Sequence, residues 1–238
     1  MDDLIDYVAA LAAEGGRVVG AVRGADLDAA VPSCPGWTVR HLAEHLGGIH
    51  RWARRAAATG TRPDPALDDA PPDGDAVVLA EWLQAGVDHL VEALAGLDPA
   101  APTWHPFPAA QVGAVWRRRQ AHETAIHRWD IESVGGTPTP FDVALAADGV
   151  AEYYELIVPR LVVRYRIKTP SSSLSLHLVD ADVTLCVSSP DGASVAVTSD
   201  AGAADHILAA PASEVLLALW GRTPPPRASG PWLALGGN

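Results

Sequence analysis

The chain has 238 residues, enough for one large domain or two modest ones, and its 48 % apolar content can fill a real core. Its formal net charge of −12 argues against a general affinity for nucleic acid or anionic membranes. Two cysteines far apart, Cys34 and Cys186, exclude a disulfide framework and fit a reducing compartment. The acidic start, Met1-Asp2-Asp3-Leu4, is unlike a basic secretion signal. No run approaches the roughly 18 apolar residues of a membrane span. The expectation is a cytoplasmic protein with no membrane and no nucleic-acid partner. Positive charge is almost all arginine, with Lys168 the single lysine, which fits a GC-rich genome.

Leu4, Val8, Leu11, Val18 and Val22 recur at helical spacing and predict a first helix over about residues 2–23, weakened by Gly15-Gly16. A turn-rich connector, Val31-Pro32-Ser33-Cys34-Pro35-Gly36-Trp37-Thr38, leads to a second helix that Thr38 caps and that runs to about Ala58. Val39, Leu42, His45, Leu46 and Ile49 share its apolar stripe. The Pro- and Asp-rich segment from Gly60 to Asp75 reads as loop. Leu79, Leu83, Val87, Leu90, Val91 and Leu94 mark the buried face of a third helix. After a second Pro-rich loop, residues 99–108, the fourth helix spans about Gln111 to Ser133 and stops at Gly135-Gly136. Four helices of similar length predict a four-helix bundle.

A fifth helix is expected from Asp142 to about Arg166, bent at Pro159. Beyond Pro170 the period changes to two. Leu174, Leu176 and Leu178, then Val183, Leu185 and Val187, then Val195 and Val197 after the turn Ser189-Pro190-Asp191-Gly192, predict a small antiparallel sheet. A last helix starts near Pro211 and ends at Gly221, and the tail from Thr223 reads as irregular. The fold class is therefore a helical N-terminal domain, residues 1–166, followed by a small α/β domain, residues 167–238.

The chemistry concentrates in the fourth helix, Arg119-Gln120-Ala121-His122-Glu123-Thr124-Ala125-Ile126-His127-Arg128-Trp129-Asp130. Glu123 and His127 are four residues apart and project from one helical face, where a carboxylate oxygen and an imidazole nitrogen can hold one divalent metal. A third ligand must come from another helix. The second helix offers His41 or His45, and the apolar stripe favours His45 as the inward-pointing one, whereas His50 is displaced toward another face. The bland alternatives are a hydrogen-bonded core histidine and a solvated Glu–His pair worth a few tenths of a kcal/mol. Burying a carboxylate with two imidazoles is costly unless they are paired or metal-bound. His41-Leu42-Ala43-Glu44-His45 lacks the zincin order, and no nucleophile elbow or phosphate-binding loop is present. Asp130 reads as an acceptor that orients a ligand or as a helix-end carboxylate. Trp37 and Trp129 read as core anchors, and Cys34 as a small packed residue.

Two segments, Cys34 to Leu46 and Arg119 to Asp130, resemble the signature segments of the mycothiol-dependent maleylpyruvate isomerase family, a branch of the DinB-like metalloprotein superfamily. Leu216-Leu217-Ala218-Leu219-Trp220-Gly221-Arg222 resembles the end of its C-terminal domain. The resemblance implies a DinB-like four-helix bundle holding a divalent metal, usually zinc, on His45, Glu123 and His127, and mycothiol as thiol cosubstrate. It implies cis–trans isomerisation, in which a thiolate adds to the activated double bond of maleylpyruvate, the single bond rotates, and elimination gives fumarylpyruvate. Arg222 and then Arg119 are the candidate catalytic cations for a carboxylate-bearing small-molecule substrate. The same resemblance admits a mycothiol S-transferase acting on another electrophile. A non-catalytic apolar-ligand binder, resembling sterol-carrier-like modules in its C-terminal sheet, is the reading from a different class. The protein is expected to act as a monomer or homodimer.

Overall fold

A computed structural model describes residues 5–64, 70–199 and 203–235. The expected helical residues 2–4, part of the Pro- and Asp-rich loop (65–69) and the last three residues of the tail lie outside them. Contacts divide the chain into two compact units, Met1–His105 with Ala110–Thr139, and Pro106–Ala109 with Pro140–Asn238. The division precedes the fifth helix, whereas the boundary read at residue 166 follows the change of hydrophobic period. That helix keeps a helical period but packs with the later elements, a preference that periodicity does not encode.

The first unit is built from α1 (Tyr7–Arg23), α2 (Val39–Thr59), α3 (Ala76–Gly96) and α4 (Gly113–Val134). Short polar side chains start three of them. Asp6 accepts from the amides of Val8 and Ala9, and Asp75 from those of Val77 and Val78, satisfying donors that have no partner within the helix. At α2, Thr38 accepts from the His41 amide and the His41 ring nitrogen Nδ1 accepts from the Thr38 amide at 3.1 Å. This is a capping box in which histidine stands where Glu or Gln is usual. Gly60, at φ 68°, ends α2 in the left-handed conformation.

Both α1 and α2 pack against α3 and α4, so the order around the bundle is α1–α3–α2–α4, with α1 and α2 on a diagonal. Val18, Val22, Leu42, Leu46, Leu79 and Leu83 fill the space between them. Each such side chain, fully buried, contributes about 1.5–3 kcal/mol. Close approach of α2 and α3 depends on missing side chains. A Cβ on Gly47 would lie 2.0 Å from the Trp82 ring, and one on Gly86 would lie 2.5 Å from Arg51 Nη1. The space admits Arg51, whose guanidinium lies 3.8 Å from the centre of the Trp82 ring and donates to the Gly47 and Trp82 carbonyls. Arg128 of α4 is fully buried and joins α1 to α4. Its Nε donates to Glu14 at 2.6 Å and its Nη1 to Glu132 at 2.9 Å and to the Thr139 carbonyl.

In the second unit, α5 (Val143–Glu152), a π-turn (Tyr153–Ile157) and α6 (Val158–Tyr165) run on as one helix. The disturbance expected at Pro159 takes the form of this π-turn just before it, where the Val158 amide bonds to the Tyr153 carbonyl. Pro159 can donate no hydrogen bond and crowds the turn before it, and one wider turn relieves that. The sheet has the order β3–β2–β1–β4, from β1 (Leu174–Leu178), β2 (Val183–Ser188), β3 (Ala196–Thr198) and β4 (His206–Ala210). β1, β2 and β3 pair antiparallel, as read from the sequence, and β4 joins the far side of β1 in parallel. Leu174, Leu176, Leu178, Leu185 and Val187 are buried. α5 packs against α7 (Ala212–Leu219), and the tail forms short 3₁₀ turns, Arg227–Ala234, broken at Gly230. Among the described residues no helix is long and apolar enough to cross a membrane.

Candidate metal centre

The adjacent helices α2 and α4 bring His45, Glu123 and His127 together, with one ligand atom from each within 4.8 Å of the others. Glu123 Oε1 stands 3.4 Å from His127 Nε2 and 3.7 Å from His45 Nε2, and the two imidazole rings are nearly perpendicular, 5.4 Å apart. Both nitrogen–oxygen separations are longer than an ordinary hydrogen bond. They match the roughly 3.4 Å between two donors that each sit about 2.0–2.1 Å from a tetrahedral zinc ion. The donor set therefore fits a divalent metal in chemistry and in spacing.

Each leg on α4 is held from behind. Arg119 donates to Glu123 Oε2 at 2.8 Å, leaving Oε1 toward the imidazoles. His127 Nδ1 lies 2.9 Å from Asp130 Oδ2, a bond that keeps a proton on Nδ1 and leaves Nε2 as the nitrogen that gives up its proton when a cation binds. Asp130 is fully buried and also accepts from Ser33 Oγ at 2.6 Å and Cys34 Sγ at 3.6 Å. The loop carrying these two residues is closed by the Ala30–Thr38 bridge, by the Val31 amide on the Trp37 carbonyl, and by Gly36 at φ 82°. Replacing Asp130 with alanine is expected to weaken zinc binding by about 10–100-fold, as removal of ligand-orienting partners does. Competition with a chromophoric chelator measures it, and an unchanged affinity would deny Asp130 this role.

The electrostatics follow the geometry. Burial raises Glu123, but the Arg119 guanidinium and the two imidazoles facing it hold the carboxyl well below the usual range. Burial also works against a charged His127. The Asp130 hydrogen bond and the Glu123 carboxylate override it and hold the imidazole at about 9 with no cation on Nε2.

The other sequence candidates separate. His41 is spent on the cap of α2 and its side chain is exposed, which removes it as the alternative to His45. His45 does not point into the dry core, as its apolar stripe implied. Its side chain is 35 % exposed, against 18 % for Glu123 and 12 % for His127. The buried histidine of α2 is His50, read as facing elsewhere, which meets Thr124 Oγ1 of α4 at 2.9 Å. Burial pushes His50 down to about 3, so it is neutral. Trp37 is no core anchor. It is 36 % exposed and meets His45 edge-on, with ring centres 5.0 Å apart. Trp129 is likewise only half-buried. Arg119 is buried, with its guanidinium on Glu123. Arg222 belongs to the second unit, where it donates to the Trp220 carbonyl at 2.6 Å and its charge acts on Tyr153. Ser33 and Thr124 were missed by sequence reasoning. Only the Asp three residues after His127 carried a local signal.

The family model described as the mycothiol maleylpyruvate isomerase N-terminal domain matches residues 8–132, a stretch that contains all three donors and Asp130. Two uncharacterized proteins of Mycobacterium tuberculosis, one from strain CDC 1551 / Oshkosh and one from strain ATCC 25618 / H37Rv, are each 30 % identical over 140 residues. The match covers 58 % of this chain and 71 % of either relative. No solved structure matches the chain.

Proposed function

The chain belongs to the mycothiol maleylpyruvate isomerase N-terminal domain family, and on that premise we propose that it is a metal-dependent, mycothiol-using cis–trans isomerase of the maleylpyruvate type. The observation that carries this reading is the convergence of three donors, one ligand atom from each within 4.8 Å of the others, two of them braced by Arg119 and Asp130. His45 Nε2, Glu123 Oε1 and His127 Nε2 would hold the metal. A divalent cation there supplies a Lewis-acid position at which a thiol loses its proton near neutral pH.

The thiolate adds to the activated double bond, and its electron pair forms the C–S bond while the π electrons move onto the neighbouring carbonyl. The former double bond then rotates. The electrons return from the carbonyl, the C–S bond breaks, and the thiolate leaves with the double bond now trans. No proton is consumed overall. Arg119 keeps Glu123 ionised and directed at the site, and Asp130 holds Nδ1 of His127 so that Nε2 is the nitrogen turned to the metal position, which orients both side chains in advance. With three protein donors, a divalent cation held here would have room for the thiol sulfur.

The test begins with metal content, measured on protein prepared without chelator and on a His127→Ala variant. Stoichiometric metal in the first and its loss in the second are expected. No bound metal in the first sinks the reading. With metal present, turnover of maleylpyruvate with mycothiol is expected, and its absence would leave transfer of the thiol to another electrophile as the activity.

A further inference from the structure

Access to the metal centre is uneven, and the uneven side has a shape. His45 is the most exposed of the three donors, and it forms one wall of an open cleft of about 450 Å³ whose other lining residues are Gly36, Trp37, His41 and Glu44. Trp37 is held in place from both sides. Its amide bonds to the Cys34 carbonyl at 3.0 Å, its carbonyl accepts from Val31, and its ring meets the His45 ring in a T-shaped contact. Its 36 % exposure is thus a fixed aromatic surface beside the site.

The polar groups of the cleft narrow the choice of ligand. His41 has Nδ1 turned back to the Thr38 amide, and its exposed side chain leaves Nε2 available. Glu44 offers a half-buried carboxylate, with Arg40 3.5 Å away and itself held by the Gly74 carbonyl at 2.6 Å. Among the described residues, no arginine or lysine lines the cleft. A carboxylate without a lining cation disfavours an anionic electrophile such as a dicarboxylate. One aromatic face flanked by a carboxylate and an imidazole suits a neutral or cationic molecule rich in hydroxyl groups.

We propose that this cleft binds the sugar portion of the thiol cosubstrate, with Trp37 against a sugar ring, Glu44 and His41 on its hydroxyl groups, and the sulfur directed past His45. The proposal rests on the thiol-dependent reading above and adds where the cosubstrate sits and which residues select it. Mycothiol carries its cysteine on an amino sugar and an inositol, so most of its surface is of the kind this cleft accepts. The anionic electrophile must then approach the metal centre from another side.

The test is a binding titration of the full chain, as isolated with its metal, by calorimetry. The probes are S-methyl mycothiol, which keeps the sugars and lacks an ionisable thiol, and N-acetylcysteine, which keeps the thiol and lacks the sugars. Trp37→Ala and the isosteric Glu44→Gln are each expected to weaken S-methyl mycothiol at least tenfold, with N-acetylcysteine affinity and metal content unchanged. The proposal is overturned by an S-methyl mycothiol affinity within twofold of the original in both variants, or by no binding of that probe to the unaltered protein. Metal analysis of the same samples separates the two levels. Absence of metal refutes the metalloenzyme reading, whereas metal with an unaltered sugar-thiol affinity refutes the cleft alone.

Discussion

Arg128→Ala is expected to destabilise the helical unit by about 3–5 kcal/mol, the range seen when one member of a buried ion pair is removed. The side chain is fully buried, and its guanidinium spans Glu14 of α1, Glu132 one turn further along α4, and the backbone at Thr139. Glu132 in turn holds the Thr139 amide at 2.7 Å, so losing the arginine releases both the α1–α4 seam and the end of the unit. Glu132 would lose its guanidinium, and Glu14 would keep only the half-exposed Arg17 on Oε1 at 2.6 Å. The cost is one of desolvation and not of lost attraction alone. A triple replacement of Glu14, Arg128 and Glu132 by apolar residues of similar volume should recover much of the stability. Urea denaturation of the three proteins measures both effects, and a loss below 1 kcal/mol for Arg128→Ala would remove the network from the account of stability.

Zinc affinity is expected to rise about tenfold per pH unit between pH 7 and about 9 and then to level off. Without a cation, His127 holds its proton up to about 9, so binding near neutral pH must expel it. Calorimetry in buffers of different ionisation enthalpy should count close to one proton released per zinc at pH 7.5. Stability of the chelator-treated protein runs the other way. The folded value of His127, about 9, lies above its ordinary 6.5. The stabilisation from its charged form is therefore complete below about 6.5 and is lost as pH rises through 9. The Tm of the metal-free protein should fall across that interval, and zinc should remove the fall. A zinc affinity flat from pH 7 to 9 would contradict the charge state assigned to His127.

The helices were largely legible because their signals are local. Thr38 as the start of α2, the stop at Gly135-Gly136, and the Leu79–Leu83–Leu90 face of α3 were each readable within one or two turns of chain. The i, i+4 relation of Glu123 and His127 was readable for the same reason. β4 was not. His206–Ala210 contains only Ile207 as a β-branched residue and ends in alanines, so nothing local distinguishes it from the approach to α7. Its parallel pairing with β1 is a long-range choice. The depth of each histidine on α2 was misjudged because its apolar stripe is shared between neighbours. α2 packs on both α3 and α4, so the side of the helix that carries His50 is also covered, whereas His45 lies at an edge. The contacts from Ser33 and Cys34 to Asp130 join segments that no periodicity links.

Ser33 and Asp130 are 97 residues apart in the chain, and their hydrogen bond closes that whole span. Loop closure of this length is entropically unfavourable until the intervening helices have been laid down. The clasp behind His127 joins segments that only the assembled helices hold side by side, so the fully oriented donor set exists only in the folded unit. A cation that recognises this set would bind the folded unit and not the unfolded chain. Its concentration would then set how far the folded unit is stabilised against unfolding.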